Sequence, residues 1–473
     1  ESGYKRFFNT KLLFITGINI IVLSGNFETL FVGWEILGIS SFLLIGYYRE
    51  RYLPVRNAMK VYSVYRVADI GLLLAMWLSH HLWHENITFL QLHNSELVHA
   101  HLIQHPYVGI MISLMIVVAA MAKSAQFPFS SWLPRAMEGP TPSSAIFYGS
   151  VAVHIGVFLL LRTFPLWEEL ISVRVVIIVI GLITTIMAAT SASVQTSVKA
   201  QIAYSSITQI GIIFIEVALG LHVIALIHLS GNAFLRAYQL LISPSIVTYM
   251  IREQFFNFKP RVYNQDKSWR RMINNSLFVI GLKEWKLDGL MYKYLWSPLK
   301  KTGNLFGFLN ATSVLVCSIV SFIGASIIIW KEVKLNPMIA NTLPEVFGGI
   351  ALILLLKAFT ERKSAFLVWL LVILSHFWVV FAVGFNDAFS MLDSAFYLSG
   401  VILSGSVGYY FLLKMKSKEY FDLNDFYGHS LEHKWLSFGF LLSCLALAGF
   451  PITTPFLGED LLFTHIRENQ IFF

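Results

Sequence analysis

The sequence predicts an all-α membrane protein, a polytopic bundle of about 13 transmembrane helices. Of its 473 residues, 56% are hydrophobic and only 13% are charged, whereas about 25% of a soluble globular chain is charged. The mean hydropathy is +0.65. Apolar runs of roughly 18 residues or more recur along the chain. Each is long enough to cross the bilayer as a helix that satisfies its own backbone hydrogen bonds.

The apolar runs also predict where helices are interrupted. We place the spans at roughly 8–27, 28–48, 57–83, 108–127, 141–163, 173–191, 199–220, 221–247, 308–330, 342–358, 364–385, 391–413 and 434–463. The fourth runs into Pro128, and the last contains Pro451 and Pro455. Because proline removes a backbone hydrogen bond and breaks or kinks a helix, we predict discontinuous helices at these two places. Interrupted helices are common at ion sites in membranes.

A basic stretch lies between the two groups of spans. It runs from Arg252 to Lys301 and accounts for most of the net charge of +8. By the positive-inside rule it lies on the cytoplasmic side, and we expect an amphipathic piece within it. Basic residues next to a membrane usually meet anionic lipid, so the bilayer is the expected partner and nucleic acid is not.

Four charged residues at three sites lie inside the first four predicted spans. A charge at mid-bilayer costs at least ~2.5–3.5 kcal/mol and therefore marks function by default. Glu35 and Lys123 each lie within an apolar run, and Arg66 and Asp69 share one face of a helix. The structural alternatives are a hydrogen bond for Glu35, extension of Lys123 to the interface, and a neutralising pair for Arg66 and Asp69.

Later spans carry a second polar line. His154 lies in one span, and His228, Asn232 and Arg236 follow one face of another at helical spacing. The alternatives are a satisfied core histidine and a structural polar seam. Histidine can relay a proton near neutral pH, whereas arginine stays protonated. A lysine close to a carboxylate is coupled to it by about 4 kcal/mol at an effective dielectric constant near 20. This is enough to switch the lysine between holding and releasing a proton.

Centres for redox or hydrolytic chemistry are not visible in the sequence. Cys317 and Cys444 lie inside apolar runs and have no disulfide, iron–sulfur or zinc spacing. Glycine motifs that bind nucleotides are also missing. We therefore predict no cofactor and no metal in this chain.

Several longer motifs occur along the chain: GWE at 33–35 with LLIG at 43–46, RVAD at 66–69, KSAQFP at 123–128, WLPRAMEGPTP at 132–142, AYSS at 203–206, ALAGFP at 446–451 and GED at 458–460. Together these motifs resemble the large antiporter-like subunit of complex I, chain L or subunit 5 of NADH:quinone oxidoreductase. The similarity covers roughly residues 1–245 and resumes near the end.

The resemblance implies a fold and a set of site residues. The fold is an antiporter-like bundle of two inverted repeats with two discontinuous helices. Glu35 and Lys123 are implied to form the input ion pair, and Arg66 and Asp69 to lie at a subunit boundary. The remaining implied proton-translocation residues are His154, His228, Arg236, Glu459 and Asp460.

The sequence departs from the family pattern at five positions. The family usually has His at Tyr148, His at Asn232, Lys at Arg236, Lys at Glu459 and Asp at Arg135. Because Arg236 cannot release a proton, His154 or Glu459 is left to substitute in the relay. The segment from Glu284 to Leu299 looks like a piece usually found near the family's C-terminus, and we expect the chain to be part of a longer protein.

These observations predict a four-part organisation. Residues 1–247 hold the first repeat and part of the second, 248–305 the basic cytoplasmic segment, 306–433 additional spans, and 434–473 the second discontinuous helix. From the resemblance we expect proton or cation translocation by the antiporter-like subunit of a complex I-like NADH:quinone oxidoreductase. We expect a multi-pass protein of a bacterial inner membrane, with other membrane subunits as partners. The alternatives are an inorganic-carbon transport system with a soluble zinc-containing partner, a multi-subunit Na⁺/H⁺ antiporter, and a scaffold that does not conduct.

Overall fold

The computed structural model describes residues 3–257, 269–330, 337–386, 390–416, 428–463 and 465–466. Within these ranges the chain is helical, with one isolated bridge between Asn26 and Thr88. Ten of the described helices are long and apolar enough to cross a membrane, and shorter apolar helices lie at Ala311–Gly324 and Lys434–Leu447. The predicted all-α transmembrane class is confirmed, while the exact number of spans stays a prediction.

The chain divides into two compact units, Glu1–Met291 and Tyr292–Phe473. The α-helices of the first unit are α1 (Tyr4–Leu23), α2 (Phe27–Ile45), α3 (Tyr52–Trp83), α4 (Ser95–Gln104), α5 (Pro106–Lys123), α6 (Trp132–Ala136), α7 (Thr141–Ser143), α8 (Ile155–Arg162), α9 (Phe164–Trp167), α10 (Ile171–Ala192), α11 (Val198–Ala218), α12 (His222–Phe256), α13 (Trp269–Leu282) and α14 (Leu287–Met291). Helix α12 passes through residue 247 without a break, and the predicted four-part division stays a prediction.

One span of the first unit changes its helical winding. Between α7 and α8 the chain is a π-helix over Ser144–Val151 and then a 3-10 turn over Ala152–His154. Such switches often mark functional positions, because they turn a side chain away from the regular helical register. Here the switch ends on His154.

The second unit is built from α15 (Ser297–Leu305), α16 (Ala311–Trp330), α17 (Pro337–Thr360), α18 (Ala365–Gly384), α19 (Met391–Lys416), α20 (His429–Glu432), α21 (Lys434–Leu447) and α22 (Thr454–Phe463). One core cluster joins α18, α19, α21 and α22, and a second joins α16, α17 and α18. The tight crossing of α19 and α22 depends on Gly458, since a Cβ there would lie 2.6 Å from the Tyr397 Cα.

Both predicted helix breaks are present, and they end in the same way. Helix α5 stops at Lys123, Ala125 takes a positive φ of 53°, and the Gln126 N–H donates to the Met121 carbonyl at 2.8 Å. Helix α21 stops at Leu447, Gly449 has a φ of 68°, and the Phe450 N–H donates to the Leu445 carbonyl at 3.0 Å. This left-handed cap satisfies carbonyls that the helix end would otherwise leave without donors.

Helices α1 and α2 approach closely at two glycines. A Cβ at Gly33 would lie 2.6 Å from the Gly17 carbonyl oxygen and 2.8 Å from the Ile21 backbone nitrogen. These atoms belong to backbone and cannot rotate away. Small residues let helix backbones pack closely in membranes, where lipid gives no hydrophobic drive for helix pairing.

Gly33→Ala is therefore expected to destabilise the protein by about 1–3 kcal/mol, because the added methyl group forces the two backbones apart. The measurement is the midpoint of thermal unfolding in detergent. Gly231→Ala in α12 is the matched control, since nothing lies within 4 Å of a Cβ built there. Equal midpoints for the two variants would show that the glycine contact does not hold the α1–α2 pair.

Candidate functional site

Lys123 is the last residue of α5 and is fully buried. The C-terminal end of a helix carries partial negative charge, which favours a cation there. The indole Nε1 of Trp132, on α6, donates to the Ala122 carbonyl at 2.8 Å and closes this helix end. The amine of Lys123 is thus placed in the protein interior at a helix break, and the alternative of extension to the interface does not describe it.

Aromatic rings surround the Lys123 amine. Its Nζ lies 4.7 Å from the centroid of the Trp34 ring and 4.1 Å from that of Tyr65, both within the range of cation–π attraction. Its nearest polar contact is the Trp34 carbonyl oxygen at 3.4 Å. Trp132 packs edge-on against Tyr65, with the ring centroids 5.0 Å apart. We call Trp34, Tyr65 and Trp132 the lysine cage.

The two buried carboxylates near the cage share one cation, Arg66. Its guanidinium bonds the Glu35 carboxylate and lies 3.0 Å from Oδ2 of Asp69. The other oxygen of Asp69 accepts from the Trp34 indole at 2.9 Å. This differs from the implied Glu35–Lys123 ion pair: the register of α2 against α3 puts Arg66, rather than Lys123, on Glu35. Lys123 therefore stays out of an ion pair, near two acids that share one arginine.

A second polar line runs from the π-helical span to α12. The His154 ring bonds the Ser150 carbonyl through Nδ1 and meets the Asn232 amide nitrogen through Nε2 at 3.0 Å. As the amide is oriented, it donates to Nε2, and the ring carries its proton on Nδ1. The Asn232 oxygen accepts from Arg236 Nε at 3.1 Å. His154, Asn232 and Arg236 form one continuous hydrogen-bonded line.

Arg236 is a buried cation that bonds neutral oxygens. Besides Asn232, it donates to Gln239 at 2.7 Å and to the Ser205 carbonyl at 3.3 Å. Among the residues that the structure describes, no carboxylate lies within ion-pair distance of it. Buried cations without a counter-ion are expensive in a membrane, which favours a functional role over a structural seam.

His228 faces α11 and takes no part in that line. Its Nδ1 lies 2.9 Å from Glu216 and its Nε2 lies 2.9 Å from the Gln209 side-chain oxygen. With this amide orientation both nitrogens face acceptors, which suits the doubly protonated ring; the opposite orientation suits the neutral ring. The sequence analysis missed Glu216, although a carboxylate inside an apolar span is the same signal that selected Glu35.

Asn232→Leu is expected to cut the line between His154 and Arg236. It removes the acceptor of Arg236 Nε and the donor to His154 Nε2, and each buried group left without a partner costs about 1–3 kcal/mol. The expected result is a lower unfolding midpoint and reduced proton flux in vesicles. Asn232→His, which restores a ring donor and acceptor, is expected to recover part of both. Full flux in Asn232→Leu would show that the line is structural.

An ion cluster that the sequence analysis missed joins α3 and α6 to the segment after α13. Arg135 makes a two-pronged contact with Glu284, at 2.6 Å and 2.5 Å, and Lys60 contacts Asp288 at 2.6 Å. Burial alone would lower the pKa of Arg135, but the hydrogen bond and charge of Glu284 outweigh it and raise that pKa. Burial alone would raise the pKa of Asp288, but hydrogen bonds and charges, chiefly from Lys60, lower it. We call these four residues the acid clamp.

Glu284 of the clamp lies in a turn with an unfavourable, left-handed backbone conformation. Glu284, Trp285 and Lys286 all have positive φ, at 49°, 54° and 52°. Left-handed residues other than glycine cost roughly 1–2 kcal/mol each, so the turn persists because its side chains are held. The Trp285 indole donates to the Thr190 hydroxyl at 3.0 Å, and Gly281 packs on the Thr190 carbonyl.

In the second unit, Glu459 lies beside the second helix break. A Cβ at Gly449 would lie 2.9 Å from Oε2 of Glu459, so the carboxylate reaches back to the end of α21. Glu459 also lines a cavity of about 690 Å³ with His376 and Tyr397, which share a hydrogen bond of 2.7 Å. Asp460, its neighbour, is exposed.

Lys357 is another charged residue of the second unit. The sequence analysis did not select it. It is buried within α17 and pairs with Glu361 at 2.7 Å. The signal was available, because Lys357 falls inside a predicted span. No group of three His, Cys, Asp or Glu side chains suited to a metal occurs within the described ranges. The absence of a cofactor stays a prediction.

Residues 24–264, just over half of the chain, match the family described as "NADH:quinone oxidoreductase/Mrp antiporter, TM". The chain belongs to this family. The resemblance drawn from the motifs is therefore confirmed. The match spans the lysine cage, the two carboxylates on Arg66 and the line from His154 to Arg236. The roles of these residues are not decided by the match and stay proposals.

Curated relatives of the chain carry the names of quinone and ubiquinone oxidoreductase subunits. The chain is 36% identical over 253 residues to "NAD(P)H-quinone oxidoreductase subunit 5, organellar chromatophore 1" of Paulinella chromatophora, covering 53% of this chain and 38% of the relative. It is 32% identical over 321 residues to the chloroplastic subunit 5 of Fagopyrum esculentum subsp. ancestrale, covering 66% and 39%. It is 36% identical over 250 residues to NADH-ubiquinone oxidoreductase chain 5 of Balaenoptera physalus, covering 53% and 39%. The chain thus spans about two fifths of the length of these curated relatives.

A solved structure shares the fold. It is the structure of the Mrp complex from Dietzia sp. DQ12-45-1b, with a TM-score of 0.51 at 16% identity, covering 96% of this chain and 65% of that one. At this identity the likeness concerns the fold alone. It agrees with the predicted antiporter-like bundle with discontinuous helices.

Proposed function

We propose that this chain is an antiporter-like subunit that translocates protons across a membrane within a complex I-like NADH:quinone oxidoreductase. The observation that carries the proposal is Lys123, fully buried at a helix break and held by the lysine cage instead of an ion pair. In a chain of this family, a buried amine without a salt bridge is suited to gain and lose a proton.

The site supports a simple mechanism. Arg66 contacts both Glu35 and Asp69, and its one positive charge leaves a net charge of −1 on the three groups while both acids are ionised. Protonation of either acid, or movement of Arg66, changes the electrostatic energy of the charged Lys123 amine by an amount on the order of several kcal/mol. Lys123 then holds its proton when the acids are charged and releases it when they are not. In the line from His154 to Arg236, His154 is the residue that can take up a proton, because Asn232 does not titrate and Arg236 stays protonated. Glu459 is a proposed carrier within the second unit.

A second candidate is a subunit of a multi-subunit cation/proton antiporter. The family description includes both complex I and Mrp antiporters, and the shared fold is that of an Mrp complex. Both candidates place the chain among other membrane subunits. A soluble zinc-containing partner and a bacterial inner membrane remain finer proposals from the sequence. The relatives include chloroplastic and chromatophore proteins.

The partners test the function directly. The full-length protein is purified from its native membrane with a terminal tag, and co-purifying chains are identified by mass spectrometry and iron–sulfur spectroscopy. We expect iron–sulfur and quinone-site subunits. Other antiporter-like chains without redox subunits would favour the second candidate instead. A single zinc-containing soluble partner would overturn the respiratory assignment.

A further inference from the structure

The acid clamp and the lysine cage share two helices, α3 and α6. On α6, Arg135 follows Trp132 by three residues; Arg135 is held by Glu284, and Trp132 closes the cage. On α3, Lys60 precedes Tyr65 by five residues; Lys60 is held by Asp288, and the Tyr65 ring packs on the Lys123 amine. Each half of the clamp therefore holds a helix that carries one wall of the cage.

Helix α6 cannot hold its own position. It has five residues, which is far too short for a helix to be stable without tertiary contacts. Its Trp132 packs edge-on against Tyr65 and donates a hydrogen bond to the Ala122 carbonyl. Its strongest polar contact is the two-pronged ion pair of Arg135 with Glu284, the geometry that fixes a guanidinium most firmly.

We propose that Glu284 is a positioning residue for Lys123: through Arg135 it holds α6 so that Trp132 seals the cage, and Asp288 supports α3 in the same way through Lys60. The inference rests on the proposed function for its transport readout only. It places the control of proton loading in a segment 149 residues away from Arg135 along the chain. A change at this segment would open or close the cage without touching Lys123.

The groups around Lys123 define what its titration reports. The charged or titratable side chains close to the Lys123 amine are Glu35 of α2 and Tyr65, Arg66 and Asp69 of α3. None of them touches the clamp in the contacts described above. Glu284→Gln and Arg135→Gln remove charges of opposite sign, so a shift of the pH profile in the same direction for both variants reports exposure of the cage and not the lost charge.

The first test measures access to the cage without using transport. In a background with Cys317→Ser and Cys444→Ser, Lys123→Cys provides a thiol inside the cage. We expect Glu284→Gln to raise the rate of its modification by a cationic methanethiosulfonate reagent several-fold. Lys283→Gln, an exposed neighbour on the same segment, is the matched control and is expected to leave the rate unchanged. Equal rates with Glu284→Gln and Lys283→Gln would overturn the proposal.

The second test uses proton flux in vesicles that contain the full-length protein with an intact Lys123. Glu284→Gln is expected to move the pH midpoint of flux upward, because water admitted to the cage favours the charged amine. Arg135→Gln is expected to move it equally, and the double variant no further, since the two act through one contact. Additive shifts, or none while wild-type flux is present, would overturn the proposal. Loss of wild-type flux would instead count against the proposed function.

Discussion

Replacing Lys123 with arginine is expected to reduce proton flux to the level of protein-free vesicles. Arginine keeps the positive charge and can stack on the Trp34 and Tyr65 rings, so the cage retains its cation. It cannot lose its proton in a protein, so the cycle of loading and release stops. The measurement is the rate at which vesicles with an imposed potential change their internal pH. The folded fraction is checked by the thermal midpoint.

The arginine variant separates charge from proton exchange. Lys123→Ala removes both the charge and the exchangeable proton, and it also leaves the cage empty. It should abolish flux as well, but it does not separate these losses. Lys5→Arg, at the exposed start of α1, is the matched control for the substitution and should conduct like the wild type. Flux in Lys123→Arg comparable with that in Lys5→Arg would mean that this amine only provides a fixed charge.

Removing Arg66 is expected to have the largest effect on stability. Arg66→Met leaves Glu35 and Asp69 buried next to each other without a cation, while their side chains are only 1% and 4% exposed. Breaking a buried pair by removing one partner typically costs about 3–5 kcal/mol, a large share of the roughly 5–15 kcal/mol by which a folded domain is stable. We expect poor yield and a strongly lowered unfolding midpoint in detergent.

Second-site variants test the cause of this loss. Arg66→Met combined with Glu35→Gln should regain most of the stability, since Asp69 then remains alone and keeps its hydrogen bond from Trp34. Arg174→Met is the matched control. That arginine donates to the carbonyls of Ala218 and Glu168, and its loss should cost only what those hydrogen bonds contribute. If Arg66→Met were no worse than Arg174→Met, the carboxylates would not depend on Arg66.

The sequence was sufficient to predict the all-α membrane class and several of the buried charges, because both follow from the cost of polarity in lipid. Lys123, Glu35, Asp69 and Arg236 were all selected by that cost, and the structure buries all four. The break near Pro128 followed from backbone chemistry. Sequence spacing does not, however, decide which cation meets which acid. The pairing of Glu35 with Arg66 depends on how α2 and α3 pack against each other.

Other parts of the site gave no signal of their own. The cage is made of Trp34, Tyr65 and Trp132, and aromatic residues in apolar spans are indistinguishable from lipid-facing ones before the helices are assembled. The acid clamp joins residues from distant parts of the chain. Glu284 and Asp288 lie four residues apart, but nothing in the sequence indicates that Arg135 and Lys60 bind them.

The two helix breaks have the same backbone cap, but the residues that precede the caps differ. After α5 the cap follows Lys123, whereas after α21 the same cap follows Leu447, which is apolar. The charge near the second break comes from Glu459 on the next helix. A repeated backbone feature therefore does not imply a repeated ionisable group. Arg236 and Glu459 have to be tested as parts of the path in their own right.

Proton flux through the wild-type protein is the most direct measurement. The full-length protein, reconstituted with its co-purifying membrane subunits, is given a potassium diffusion potential in sodium-free buffer while a trapped dye reports the internal pH. We expect a pH change well above that of protein-free vesicles, which disappears in Lys123→Arg. A wild-type rate equal to that of protein-free vesicles would contradict proton translocation by this chain.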